Sequence, residues 1–302
     1  MVIVDESILS QIGHTPLIRL RRIGLEFPNV QLMAKAEWFN PGGSVKDRAA
    51  ASIVAAAEQS GQLRKGKTLL DASSGNTAAA YALICAARGY PVTLCVPANA
   101  SPEVLKALKA FGATLVLTSP LESSDGAIRE AKRLAAAEPD RYFYADQYNN
   151  PANWQAHYRT TGPDIWEQTQ GEVTHLVAGL GTSGTLMGTG RFLKEQKPSL
   201  QAVAVQPDSP LHGLEGLKHM DTSIVPGIYD PSFPDLNLEV KTEDAYAMLK
   251  RLASEEGLLA GISSGAALVA AHQLAATVKQ GCIVMIFPDG GSRYLDEEFW
   301  NE

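Results

Sequence analysis

KTLLDASSGNTAAAYALICAARGYPVTLCVP, residues 67–97, sets a short β-prone run, a turn of small polar residues, a long alanine-rich run and a second β-prone run in succession. Within it KTLLDA (67–72) and PVTLCVP (91–97) are nearly continuous in apolar character rather than alternating. That pattern predicts strands buried on both faces, and the stretch at about 76–88 between them has the length and composition of a helix. Strand, helix and strand in this order form the repeating unit of a parallel sheet flanked by helices.

The unit repeats along the chain. PEVLKALKAFG (102–112) predicts a helix, ATLVLTS (113–119) a strand, and a further helix is expected near 123–137. After a loop rich in Asn and Pro, QYNNPAN (147–153), the pattern restarts: VTHLVAGLG (173–181) leads into a helix to about Gln196, and QAVAVQP (201–207) is a strand. A less regular stretch with many Pro and Gly runs to about 238. Thr242 is expected to cap EDAYAMLKRLASEEG, with Glu243 and Asp244 in its first turn. LLAGISSGAALVAAHQLAATVK and CIVMIFP predict strand, helix, strand at the end. Two α/β units with a boundary near 146 are the simplest organisation.

Bulk properties narrow the function. With 302 residues and 45% hydrophobic content, the chain has enough apolar surface for one or two domains. Its 26 Lys+Arg stand against 33 Asp+Glu, a net charge of −7, and no basic block is long enough to track a phosphate backbone, so no nucleic-acid partner is expected. Cys85, Cys95 and Cys282 are far apart and do not cluster with the six histidines; neither zinc nor any other metal is expected, and free thiols fit a reducing cytosol. The opening MVIVDESILSQIG carries acids where a signal peptide would carry Lys or Arg, and the longest apolar run, 78–87, is too short to span a bilayer. A soluble cytoplasmic protein without a membrane partner is the expectation.

Three small-residue turns fall where a strand hands over to a helix: SSGNT (73–77), GLGTSGT (179–185) and GISSGA (261–266). That edge of an open α/β sheet is where ligands bind, because helix N-termini there present unpaired N–H groups and a positive dipole end. GLGTSGT suits a phosphate best: its glycines allow close backbone approach, and Thr182, Ser183 and Thr185 add hydroxyls. Through Gly179, Gly181 and Gly184 it also matches GxGxxG, which leaves a dinucleotide site open, but the next strand runs into Gln206 where an acidic residue is wanted. SSGNT suits a carboxylate, or else is only a cap series, and GISSGA alone reads as a cap. In NPGGSVKDRAA (40–50), Lys46 at a helix start is unfavourable against the dipole; with Asp47 and Arg48 it forms a solvated charge cluster unless a ligand holds it. A lysine nucleophile together with a phosphate cradle is what a Schiff-base cofactor carrying a phosphate requires.

NPGGSVKDR, SSGNT, GTSGT and GISSGA, in this order and spacing, resemble the β-family of pyridoxal-phosphate enzymes, specifically the cysteine synthases. IGHTPLIRL resembles that family's opening, and NNPANWQAHYRTTGPDIW (149–166) resembles the cysteine synthase B branch. The resemblance covers nearly the whole chain. It implies the fold-type II arrangement: a smaller α/β domain at 39–146, a larger one from 1–38 and 147–302, and the cofactor in the cleft. It implies that Lys46 links covalently to pyridoxal phosphate and then serves as the base for the Cα proton. Gly181, Thr182, Ser183, Gly184 and Thr185 would hold the phosphate, Asn76 the ring O3′, and Ser263 would face the pyridine nitrogen, with Ser264 its neighbour. Ser73, Ser74, Gly75, Asn76, Thr77 and Gln147 would surround the substrate. The implied reaction is β-replacement of O-acetyl-L-serine or O-phospho-L-serine with a sulfur donor, sulfide or thiosulfate, in a homodimer.

Several positions depart from the family pattern. His14 replaces the common Asn, Ala78 stands where glycine is common after SSGNT, and the chain ends RYLDEEFWNE. More consequential is HGLEGLKHMDTSIVPG (212–227), where A-type relatives are glycine-rich; Lys218 is there either to pair with an additional anion or as an ordinary surface lysine. Rival expectations are another fold-type II lyase such as a serine or threonine dehydratase or a cystathionine β-synthase, a non-catalytic partner protein of this fold, and a nicotinamide-dependent dehydrogenase.

Overall fold

The computed structural model describes residues 7–301. Among them the chain forms, in order, β1 (Leu17–Arg19), β2 (Val30–Ala36), α1 (Lys46–Gln59), β3 (Thr68–Ala72), α2 (Asn76–Arg88), β4 (Val92–Pro97), α3 (Pro102–Ala110), β5 (Thr114–Thr118), α4 (Ser123–Ala137) and β6 (Tyr142–Tyr144). It continues with α5 (Pro151–Arg159), α6 (Thr161–Gln168), β7 (His175–Gly179), α7 (Gly184–Gln196), β8 (Gln201–Pro207), β9 (Leu236–Val240), α8 (Thr242–Glu256), α9 (Ile262–Ala275) and β10 (Gly281–Phe287). No helix among the described residues is long and apolar enough to cross a membrane.

The chain divides into two compact units, one of 7–12 with Asn40–Asn153, the other of Gly13–Phe39 with 154–301. The divide after 153 falls seven residues later than the sequence boundary at 146. Gln147 is the reason: its backbone N–H donates to Asp71 Oδ2 at 3.3 Å, its side chain donates to the Ala72 carbonyl at 3.0 Å, and Asn153 Nδ2 donates to its carbonyl at 2.7 Å. These bonds tie 147–153 to the β3 end of the first unit.

The first unit holds a four-stranded, all-parallel sheet in the order β5-β4-β3-β6. All six residues of β4 are buried, as continuous apolar character predicts for a central strand covered on both faces. One face packs under α1, α2 and α3 through Ile53, Val54, Tyr81, Ile84, Leu94 and Leu108. The other packs under α4 through Leu70, Ala72, Cys95, Ile128 and Ala131. Each large aliphatic side chain so buried contributes about 1.5–3 kcal/mol.

The second unit holds a six-stranded sheet in the order β1-β2-β10-β7-β8-β9, parallel except for the antiparallel β1–β2 pair. Helix α9, apolar on nearly every side until His272 and Gln273 in its last turn, is buried against this sheet and α8. Three sequence expectations shift here. Thr242 is the first helical residue rather than the cap; Lys241 takes the cap position, and the Thr242 hydroxyl accepts from the Gly213 N–H at 3.0 Å. LLAG forms no strand, only a single bridge from Ala260 to Gly290. The irregular stretch before 242 ends in β9, an edge strand with one buried residue, Val240, too polar to show as an apolar run.

Candidate active site

In the first unit two of the singled-out stretches lie at helix starts. Lys46 opens α1 and is half-buried, its N–H reaching Ser44 Oγ at 3.3 Å. Its neighbours are not the solvated cluster that composition alone allowed: Asp47 is fully buried, Arg48 is 3% exposed, and the Asp47 carboxylate accepts from the Gly42 N–H. This acid in the first turn complements the helix dipole and closes the GG turn, so the backbone that carries Lys46 is fixed on both sides.

The 73–77 turn links β3 to α2. Ser73 Oγ accepts from the N–H groups of Gly75 and Ala78, both at 3.3 Å, which fixes the turn. Ser74 is exposed and Asn76 half-buried at the first position of α2. Thr77 is buried, and its hydroxyl donates to Gln147 Oε1 at 2.8 Å while Gln147 Nε2 holds the Ala72 carbonyl. Gln147 therefore clamps the two ends of the turn. Beneath it lies Asp71, unnoticed as a site residue although a lone acid in an apolar strand was visible. It is 1% exposed; burial pushes its carboxyl up to about 7, against the Ala72 and Gln147 N–H groups and the Tyr81 hydroxyl, which favour the charged form.

In the second unit the 179–185 turn links β7 to α7. A side chain at Gly181 would put its Cβ 2.5 Å from the Gly216 carbonyl oxygen, so only glycine fits. Ser183 adopts left-handed backbone at φ +67°, unusual for serine, at the start of a helix that no side chain caps. Its hydroxyl is buried without a hydrogen-bond partner. A strained residue, an unsatisfied hydroxyl and uncapped N–H groups on one turn are what an anion such as a phosphate would complete, so the donor set fits a phosphorylated cofactor. Replacing Gly181 by Ala is expected to destabilise the protein by about 1–3 kcal/mol, read as a lower calorimetric unfolding temperature; an unchanged transition would show that the 216 segment yields freely.

The Lys218 N–H donates to the Leu180 carbonyl at 2.8 Å, which sets residue 218 beside the start of this turn. Gln206, at the end of the next strand, spends its Oε1 on the Met220 N–H at 3.2 Å. At the third turn, Ser263 is 7% exposed in the first turn of α9, and Ser264 beside it is fully buried with its hydroxyl unpartnered. Sequence reasoning assigned nothing to His157, although Thr161 one helical turn later in the TTGPDIW run was a readable partner for it; the structure buries it against Thr185.

A model of the pyridoxal-phosphate dependent enzyme family matches residues 8–289, and the chain belongs to this family. It is 50% identical over 303 residues to a cysteine synthase of Aquifex aeolicus, covering 98% of this chain and 93% of that protein. It is 41% identical over 297 residues to cysteine synthase B of Pseudomonas aeruginosa, covering 98% and 97%. The crystal structure of a cysteine synthase from Entamoeba histolytica matches with a TM-score of 0.94 at 35% identity, covering all of this chain and 92% of that one. The fold expected from the resemblance, two mainly parallel sheets flanked by helices, is the fold of this chain.

Proposed function

We propose that this protein is a cysteine synthase that replaces the β-substituent of an O-activated L-serine with a sulfur nucleophile; with O-acetyl-L-serine and hydrogen sulfide the products are L-cysteine and acetate. The observation that carries the reading is the 181–185 turn, a glycine-only backbone approach beside a strained, unpartnered serine, in a chain of this family. Pyridoxal phosphate, when bound, supplies a carbonyl that captures an amine and a conjugated ring that accepts electrons from Cα.

The residues divide the work. Lys46, its position set by the Asp47–Gly42 contact, would be the amine that holds the cofactor and the base for the Cα proton. Gly181, Thr182, Ser183, Gly184 and Thr185 would hold the phosphate with backbone N–H groups and hydroxyls. Asn76 would hold the ring O3′, and Ser263 would offer the ring nitrogen a neutral hydroxyl rather than an acid. The substrate carboxylate is bound by the N–H groups and hydroxyls at Ser73, Ser74, Gly75 and Thr77, and Gln147 keeps that turn in shape. The reading includes a homodimer in the cytoplasm, a compartment in which the three buried, free cysteines stay reduced.

Product analysis tests it. Cysteine formed from O-acetyl-L-serine and sulfide supports the synthase, whereas pyruvate and ammonia from the same substrate identify a dehydratase. Lys218 is assigned to the additional anion of O-phospho-L-serine. Lys218→Ala is expected to lower kcat/KM for O-phosphoserine about fivefold relative to O-acetylserine, the worth of one partly solvated ion pair. An unchanged ratio makes it an ordinary surface lysine.

A further inference from the structure

NNPANWQAHYRTTGPDIW (149–166) carries the resemblance to one branch of the family but received no role, and it holds a buried histidine against the proposed phosphate turn. His157, on α5, is 1% exposed. Its Nδ1 lies 2.9 Å from Thr161 Oγ1 and its Nε2 3.4 Å from Thr185 Oγ1, the latter at the long end of a hydrogen bond. Thr185 is the second residue of α7.

The packing that brings the imidazole there is built into the sequence. A Cβ at Gly188 would sit 1.9 Å from the Trp154 carbonyl oxygen and 2.8 Å from both His157 Cβ and the Tyr158 nitrogen. Helix α7 thus rests its bare backbone on α5, and Thr185, three residues before Gly188, lies on the same face. Any larger residue at 188 would lift α5 and carry His157 away from Thr185.

A neutral imidazole has one N–H and one lone pair, so the Thr161–His157–Thr185 chain has only two directions. In one, Thr185 spends its proton on Nε2, and the oxygen that remains repels an anion. In the other, the Thr161 hydroxyl donates to Nδ1, Nε2–H donates to Thr185 Oγ1, and the Thr185 proton is left to point at the turn. A phosphate offers acceptors only and therefore selects the second.

We infer that His157 is a positioning residue that sets the Thr185 hydroxyl as a donor to the cofactor's phosphate. This rests on the assignment of the 181–185 turn to that phosphate. The test is equilibrium binding of pyridoxal phosphate, and separately of pyridoxal, to the full-length apoprotein. Wild type is expected to bind the phosphorylated form far more tightly; if it does not, the phosphate assignment itself fails, and this inference with it. His157→Ala is expected to weaken pyridoxal phosphate about fivefold to tenfold and pyridoxal by less than about twofold, the worth of one oriented hydrogen bond. His157→Gln, whose amide N–H can reach the same oxygen, is expected to recover most of the loss. In a Thr185→Val background His157→Ala is expected to have no further effect. An equal loss for both ligands, a loss that persists without the Thr185 hydroxyl, or no loss at all would overturn the inference.

Discussion

Replacing Lys46 by Ala is expected to lower cysteine formation by about a thousandfold or more, because one amine is assigned both covalent attachment of the cofactor and removal of the Cα proton, and a positioned base alone is worth about 10²–10⁴. The fold should survive. Lys46 is a half-buried first residue of α1, where a positive charge opposes the helix dipole and alanine has the higher helix propensity. The contact that fixes the turn belongs to Asp47 and Gly42, not to Lys46. Three measurements separate chemistry from folding. Turnover falls, the thermal midpoint moves by no more than about 2 °C, and borohydride treatment followed by peptide mass spectrometry labels the Lys46 peptide in wild type only. A variant keeping more than about a tenth of wild-type turnover, far above what loss of a positioned base permits, would remove Lys46 from the chemistry.

Much of this was legible in the sequence because two periodicities are strong: continuous apolar strands and alanine-rich helices. The helix read near 123–137 is α4, and the strand read at 201–207 is β8. Expectations failed where an element owes its state to neighbours. Strand β9 is defined by pairing with β8, not by its own side chains, of which only Val240 is fully buried. Thr242 has the residue type of a cap but serves Gly213, twenty-nine positions away in sequence. The same limit applies to the site. Lys46, the 73–77 turn and the 181–185 turn were visible as local motifs. The burial of Asp47 and the bonds from Gln147 across the first turn depend on which segments the sheet brings together. His157 was hidden for a related reason: its partner Thr185 comes into reach only through the glycine contact at 188.

Replacing Asp71 by Asn is expected to give a stability advantage that grows with pH. The folded carboxyl titrates at about 7 because burial disfavours its charge, whereas in the unfolded chain it returns to its ordinary 3.8. Between those values the native state holds a proton that the unfolded state has released, so wild-type stability from this group falls as pH rises and is fully reduced above pH 7. The ionisable groups around it do not compete in this window. Burial raises Tyr81, Tyr144 and Tyr148 above their ordinary values, and pushes the Cys95 thiol up to about 12. Asp146 also faces the site, and its negative charge adds to the upward push. Asparagine is the isostere of the protonated acid and keeps one oxygen for the Gln147 N–H, so the variant should match wild type to within about 1 kcal/mol at pH 3.8 and below, and by pH 5, where the unfolded carboxyl has ionised and the folded one has not, it should already lead by about 1–2 kcal/mol. At pH 8 it should be the more stable protein by about 3 kcal/mol relative to that pH 5 comparison. Chemical denaturation of both proteins at the two pH values reads this directly. A difference that stays constant would mean that Asp71 is ionised in the folded protein throughout. The carboxylate would then be held by its two N–H donors and Tyr81 more strongly than burial opposes it, and the base of the 73–77 turn would carry a permanent negative charge beneath the group assigned to bind the substrate carboxylate.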